Sequence, residues 1–174
     1  MPTVFAHALA GAALGSAVRP TGKIVAVAAV CAVLPDADVL AFAFGVPYEH
    51  ALGHRGLSHS MAAAALIGAL AVGLFFRRAP GRLALWALFT AAATSHGLLD
   101  MLTDGGLGVG LWLPFESDRL FFPVRPVEVS PLGAGFFSAR GLAVLKSEAV
   151  WIGLPAAAVA SAAWWRRHRA RRAA

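Results

Sequence analysis

The chain has 174 residues, 59% of them hydrophobic and 14% charged, whereas an ordinary soluble domain carries about 25% charged residues. So short and apolar a sequence excludes a soluble multidomain enzyme and reads as one membrane-embedded domain, residues 1–174. Its net charge of +6 is compatible with nucleic acid until the positions of the charges are followed.

Five apolar segments follow in order. The first, Thr3–Val18, would make a helix of about 24 Å, marginal for crossing a bilayer, and it carries His7. It has no basic stretch ahead of it, so it is expected to be retained rather than removed as a signal peptide. The second, Lys23–Phe44, holds Cys31, the single cysteine, which reads as a packing residue. It then reaches "LPDAD", where Pro35 bends the helix and Asp36 and Asp38 follow. The third, His59–Phe76, comes directly after "HALGHRGLSHS" (His50–Ser60), which contains Arg55 and three of the six histidines. The fourth, Leu83–Leu102, ends in "SHGLLDMLTD", with His96, Asp100 and Asp104. An outer loop region, 103–146, contains "GVGLWLPFESDRLFFPV", whose aromatic residues read equally as an interfacial belt or a substrate gate. The fifth segment, Ser147–Trp165, runs into a basic tail, 166–174. The last four are long enough for a hydrocarbon core of about 30 Å. The expected fold is therefore all-α, a polytopic transmembrane bundle of about five helices with a short first helix.

An alternating path sorts the charges. Arg19, Lys23, Arg77, Arg78, Arg82 and five tail arginines fall on one side, which the positive-inside rule assigns to the cytoplasm. All nine acidic residues fall toward the other side. The N-terminus is then outside and the C-terminus inside. The tail arginines beside Trp164 and Trp165 read as an anchor at anionic lipid headgroups, and no nucleic-acid partner is expected.

Ionisable residues inside a membrane are costly and mark function by default. Here His7, Asp36, Asp38, His96 and Asp100 come from separate segments to one outer level, beside His54 and His59 of the loop. His96 and Asp100 are four residues apart and share a helix face. Imidazole nitrogen and carboxylate oxygen suit Zn²⁺ or Mn²⁺, and a divalent cation would keep the carboxylates ionised. Ser58 is expected to cap the third segment, Ser60 to lend support, and Gly56 to allow a tight turn. Glu49 and His50 read as solvated. Plainer alternatives for single residues are a packed His7, an ion pair of Asp36 with Arg55 or Asp100 with Arg119, and Asp104 as a helix end.

In order along the chain, His7, "LPDAD", "HRGLSHS", "SHGLLD" and "LPFESDR" resemble the YdjM-like family of membrane-bound metal-dependent hydrolases, over roughly residues 3–125. A fainter similarity is to zinc-dependent phospholipase C. The resemblance implies a hydrolase with His7, Asp36, Asp38, His54, His59, His96 and Asp100 as metal-site residues. A metal-acidified water would attack an ester or phosphoester. Asp38 or Asp104 would take the proton, and Arg55, aided by Arg119, would stabilise developing charge. A site at headgroup depth makes a lipid or lipid-linked substrate the natural class. Competing readings are a divalent-metal or proton transporter built on the same cluster, and a bis-histidine haem bundle. The sequence sets no oligomeric state.

Overall fold

The computed structural model describes residues 1–131 and 133–173; residue 132 of the expected outer loop and residue 174 of the tail lie outside the described residues. Among the described residues the chain is all-helical, with no strand beyond isolated bridges of Thr103 to Val127 and Val109 to Leu120. Five rods make up the molecule. They are α1 (Val4–Val18), α2 (Gly22–Val33), α3 (Met61–Phe75), α4 (Arg82–Met101) and a C-terminal rod. The last consists of α5 (Ala139–Glu148), a π-helical turn (Ala149–Gly153) and α6 (Leu154–Ala173).

Local chemistry sets the boundaries. The hydroxyls of Thr3, Thr21 and Ser60 accept from the backbone N–H of Ala6, Ile24 and Ala63, capping the first three helices. The cap of α3 is thus Ser60 rather than the expected Ser58, and α3 is shortened to 15 residues. Beyond Val33 the chain tightens into an 11-residue 3₁₀ helix, Leu34–Phe44. Pro35 in its first turn has no N–H to continue the α-helical ladder. Three residues per turn place Leu34, Ala37 and Leu40 on one exposed face, which leaves Asp36 turned inward. Gly45, in the left-handed region at φ 75°, ends the element.

Small residues bring the helices together. A Cβ on Gly11 of α1 would stand 2.5 Å from the Ala28 carbonyl oxygen of α2, so only glycine permits that approach. The core between α2, α3 and α4 is built from Ala28, Cys31, Ala32, Ala64, Leu88 and Phe89. Cys31 is buried there as a free thiol.

Two helical stretches, Gly22–Phe44 and Ala139–Arg172, are long and apolar enough to cross a membrane, while α1 and α3 are apolar but shorter. The C-terminal rod starts before Ser147 and continues past Trp165, because the Ala- and Arg-rich tail favours helix. Basic side chains gather at one end of the bundle. Lys23 donates to the Phe75 carbonyl at 2.9 Å and Arg167 to that of Ser16 at 2.8 Å, satisfying last-turn carbonyls of α3 and α1. His7, Asp36, His96 and Asp100 sit toward the opposite ends of their elements.

Candidate metal centre

Four elements converge on one buried point. α1 supplies His7, the 3₁₀ helix Asp36, a short turn at Leu57–His59 supplies His59, and α4 supplies His96 and Asp100. The side chains of His7, His59, His96 and Asp100 are fully buried, and that of Asp36 is 10% exposed. His59 Nε2 lies 3.0 Å from His96 Nε2, 3.3 Å from Asp100 Oδ2 and 3.7 Å from Asp36 Oδ1. His96 Nε2 is 3.2 Å from Asp36 Oδ1 and 4.0 Å from Asp100 Oδ2. His7 stacks on His96 at 3.7 Å between ring centroids, with its Nε2 3.6 Å from Asp100 Oδ1.

This donor set fits a cation on three physical grounds. Ligand bonds of about 2.0–2.1 Å in a tetrahedral zinc site hold donor atoms about 3.3 Å apart, and the measured separations of 3.0 to 4.0 Å straddle that value. The tautomers point the same way. His96 Nδ1 sits 2.7 Å from the Ala32 carbonyl oxygen and must donate to it, so His96 Nε2 carries a lone pair. His59 Nδ1 lies 3.1 Å from Asp38 Oδ2 and donates there, so its Nε2 is also a lone pair. Two lone pairs facing each other at 3.0 Å repel unless a cation or proton lies between them. Finally, both nitrogens of His7 and both carboxylate oxygens of Asp36 and of Asp100 are buried without a hydrogen-bond partner. The Asp36 carboxylate is left without a charged partner and Asp100 has only the Arg55 guanidinium against it, and a buried carboxylate that lacks compensating charge is strongly disfavoured. With neutral imidazoles, Asp36, Asp38 and Asp100 against Arg55 leave two negative charges, which one divalent ion balances. The cluster could hold a metal ion.

Asp38 behaves differently from Asp36. Its Oδ1 accepts from His54 Nδ1 at 2.7 Å; its Oδ2 accepts from Ser58 Oγ at 2.5 Å, His59 Nδ1 at 3.1 Å and the Arg55 N–H at 3.2 Å. Asp38, His54 and His59 also lie close enough together for a cation, yet Asp38 Oδ2 is already crowded by three donors and Oδ1 is engaged by His54. Asp38 thus orients two imidazoles as a supporting carboxylate does behind a metal ligand. His54 is edge-on to His59 and to Tyr48, at 5.4 and 5.3 Å. Burial lifts the Tyr48 phenol above its usual pKa, keeping it neutral.

The arginines are held by the protein itself. Arg55 is fully buried, its Nε 3.1 Å from Asp100 Oδ2, with its other nitrogens donating to the carbonyls of Gly105 and Leu107 and to Thr103 Oγ1. The left-handed backbone falls on Arg55, at φ 62°, rather than on the neighbouring Gly56. Arg119 donates to the carbonyls of His50, His54, Glu49, Tyr48 and Gly108, stapling the loop before α3. Glu49 and His50 are exposed as expected. Asp104 stands apart from the cluster, half-exposed, accepting from the Val129 N–H at 2.7 Å and lying 3.7 Å from Arg140. Sequence reasoning missed Glu148, a buried carboxylate that accepts from the Thr3 backbone N–H and, at 2.7 Å, from its hydroxyl, tying α5 to the start of α1. Its signal was available: an acidic residue opening an apolar run.

Apolar rods, two of them long enough to cross a membrane, and a buried His/Asp cluster that could hold a metal ion together suit a helical membrane protein. Residues 1–170 match the model of the YdjM inner membrane protein family, and the chain belongs to that family. It is 39% identical over 175 residues to the inner membrane protein YbcI of Escherichia coli (strain K12), covering 96% of this chain and 99% of that protein. No solved structure matches the chain.

Proposed function

We propose that the protein is a multi-pass, metal-dependent hydrolase that cleaves an ester or phosphoester of a lipid or lipid-linked substrate. The observation that carries this reading is the convergence of buried His and Asp donors, Asp36, His59, His96 and Asp100 with His7 beside them, the Asp36 oxygens among them having no hydrogen-bond partner. Asp36, His59, His96 and Asp100 would hold the ion, with Zn²⁺ best suited to two imidazoles and two carboxylates and Mn²⁺ next. When bound, the cation supplies Lewis acidity toward the substrate oxygen and lowers the pKa of water. The charge sorting supports an orientation in which this end of the bundle would lie outside the cytoplasm, near headgroup depth.

The remaining residues take supporting roles. Asp38 fixes the rings of His54 and His59. His54 Nε2, opposite the nitrogen held by Asp38, would accept the proton. Arg55 holds Asp100 and the 103–107 backbone, so it positions a ligand instead of contacting substrate. Asp104, paired with Arg140, has no part in the chemistry. Asp36 is the least buried of the four residues, although its carboxylate oxygens are themselves covered.

A transporter reading finds less support, because the described residues that pack beneath the cluster are mostly apolar, Ala28, Cys31, Ala32, Leu88 and Phe89, with the Thr90 hydroxyl as a lone buried polar group farther along α4. A second reading has one observation in its favour. Four protein donors already complete a tetrahedron, as structural zinc sites do, whereas catalytic ones keep a position open. The experiment is to purify the protein in detergent, count metal per chain and follow phosphatidylglycerol hydrolysis. One divalent ion per chain, lost in His59→Ala and His96→Ala together with hydrolysis, supports the enzyme. Metal that supports folding without hydrolysis of any lipid ester supports the structural ion. Undiminished metal in both variants defeats the site.

A further inference from the structure

The C-terminal rod packs on α1 and leaves a gap beside α4. Over α1 this gap forms a cleft of about 290 Å³, with Ala10 and Ala13 as its floor, Leu98 and Leu102 of α4 on one wall, and Trp151 and Val159 of the rod on the other. Phe122 closes the outer end, near the level of Asp100, with its N–H bonded to the Met101 carbonyl. Along the rod the cleft runs eight residues, about 12 Å at the helical rise. Its one hydroxyl, Ser95, already donates to the Ala92 carbonyl at 2.7 Å.

We propose that this cleft binds one acyl chain of a membrane phospholipid, separately from the metal-dependent reaction. Water is a poor occupant, since an ordered water needs two to four polar partners and the walls are almost wholly apolar, with the Ser95 hydroxyl already bonded to Ala92. A partner helix is too large: 12 Å of helix some 10 Å across fills about 900 Å³, roughly three times the cleft. A single hydrocarbon chain has the width and the chemistry that remain, and a chain of the inner membrane family lies where such chains are abundant. The bound chain would brace the stretches Ala10–Leu14, one turn beyond His7, and Leu98–Leu102, which contains Asp100.

Native mass spectrometry of the full chain in detergent, titrated with phosphatidylglycerol bearing 16-carbon chains, tests this. Wild type should retain one lipid per chain. Ala13→Phe, filling the floor, should weaken retention at least tenfold, and Leu98→Trp should do the same from another wall should the first variant fold poorly. Leu66→Phe, on the exposed face of α3, should leave retention unchanged. Metal counted in the same samples separates the two readings, because absent metal defeats the hydrolase while leaving lipid retention intact. Equal lipid retention in wild type and both filled variants would overturn the cleft assignment. So would displacement of the lipid by stoichiometric free palmitate, which would point to a fatty acid site.

Discussion

Asp38→Asn separates a ligand from a supporting carboxylate. The substitution keeps size and keeps the oxygen facing His54, but puts an amide NH₂ where Oδ2 accepts from Ser58, His59 and the Arg55 N–H. His59 Nδ1 then faces a donor, which favours the tautomer with the proton on Nε2, the atom aimed at His96. Loss of such a supporting partner lowers metal affinity by about 10–100-fold, or about 1.4–2.8 kcal/mol. The assay is competition for Zn²⁺ against a chelator, paired with the visible spectrum of the Co²⁺-loaded protein. A supporting role predicts weaker affinity with the shape of the cobalt bands retained. Unchanged affinity would refute the tautomer argument, and a new band pattern with far greater loss would make Asp38 a ligand.

Other consequences follow from the same contacts. Arg55→Met strands the buried Asp100 carboxylate and should cost about 3–5 kcal/mol in unfolding free energy; a loss under 1 kcal/mol would mean the pair contributes little. Gly11→Val forces α1 away from Ala28, so it should lower the thermal midpoint and the metal content, whereas Gly73→Ala, with open space around it, should change neither. Glu148→Gln weakens a charge-assisted clamp on Thr3 and should destabilise by about 1.5–3 kcal/mol in chemical denaturation. Chelation of the metal should lower the thermal midpoint of the wild type and leave that of His96→Ala unmoved.

The helical rods and the membrane character were legible because apolar runs broken by Gly, Pro and basic turns are local signals. So was the convergence of His7, Asp36, His59, His96 and Asp100, since ionisable residues in apolar runs are rare enough to stand out. The division of labour among these residues was not legible. Asp36 and Asp38 look equivalent in "LPDAD", and only the 3₁₀ turn after Pro35 separates them, sending one to the cluster and the other to the loop. Arg55 could not be told from a substrate-binding fork without knowing that Thr103, Gly105 and Leu107 return to meet it. Ser58 and Ser60 exchanged their expected roles because the helix start shifted by two residues, a distance that apolar patterning does not resolve.

The two arginines explain why so polar a segment can border an apolar bundle. A loop lacking regular structure leaves its carbonyls without ladder partners, and those that are buried must be satisfied. Arg119 gathers five of these from residues 48–54 and 108, while Arg55 takes two more from residues 105 and 107. Each guanidinium therefore replaces a stretch of sheet or helix as the structure that holds the loop. Arg55 alone also touches the cluster, through Asp100. Its charge enters the balance that would leave room for a single divalent ion, so one side chain would set both the loop's architecture and the charge of the ion the cluster could hold. An Arg55→Lys protein should separate these functions. It keeps the positive charge but lacks the planar fork, so metal stoichiometry should stay at one while protease nicking of residues 103–110 rises. If the nicking stays at the wild-type level, the loop is held by something other than the guanidinium.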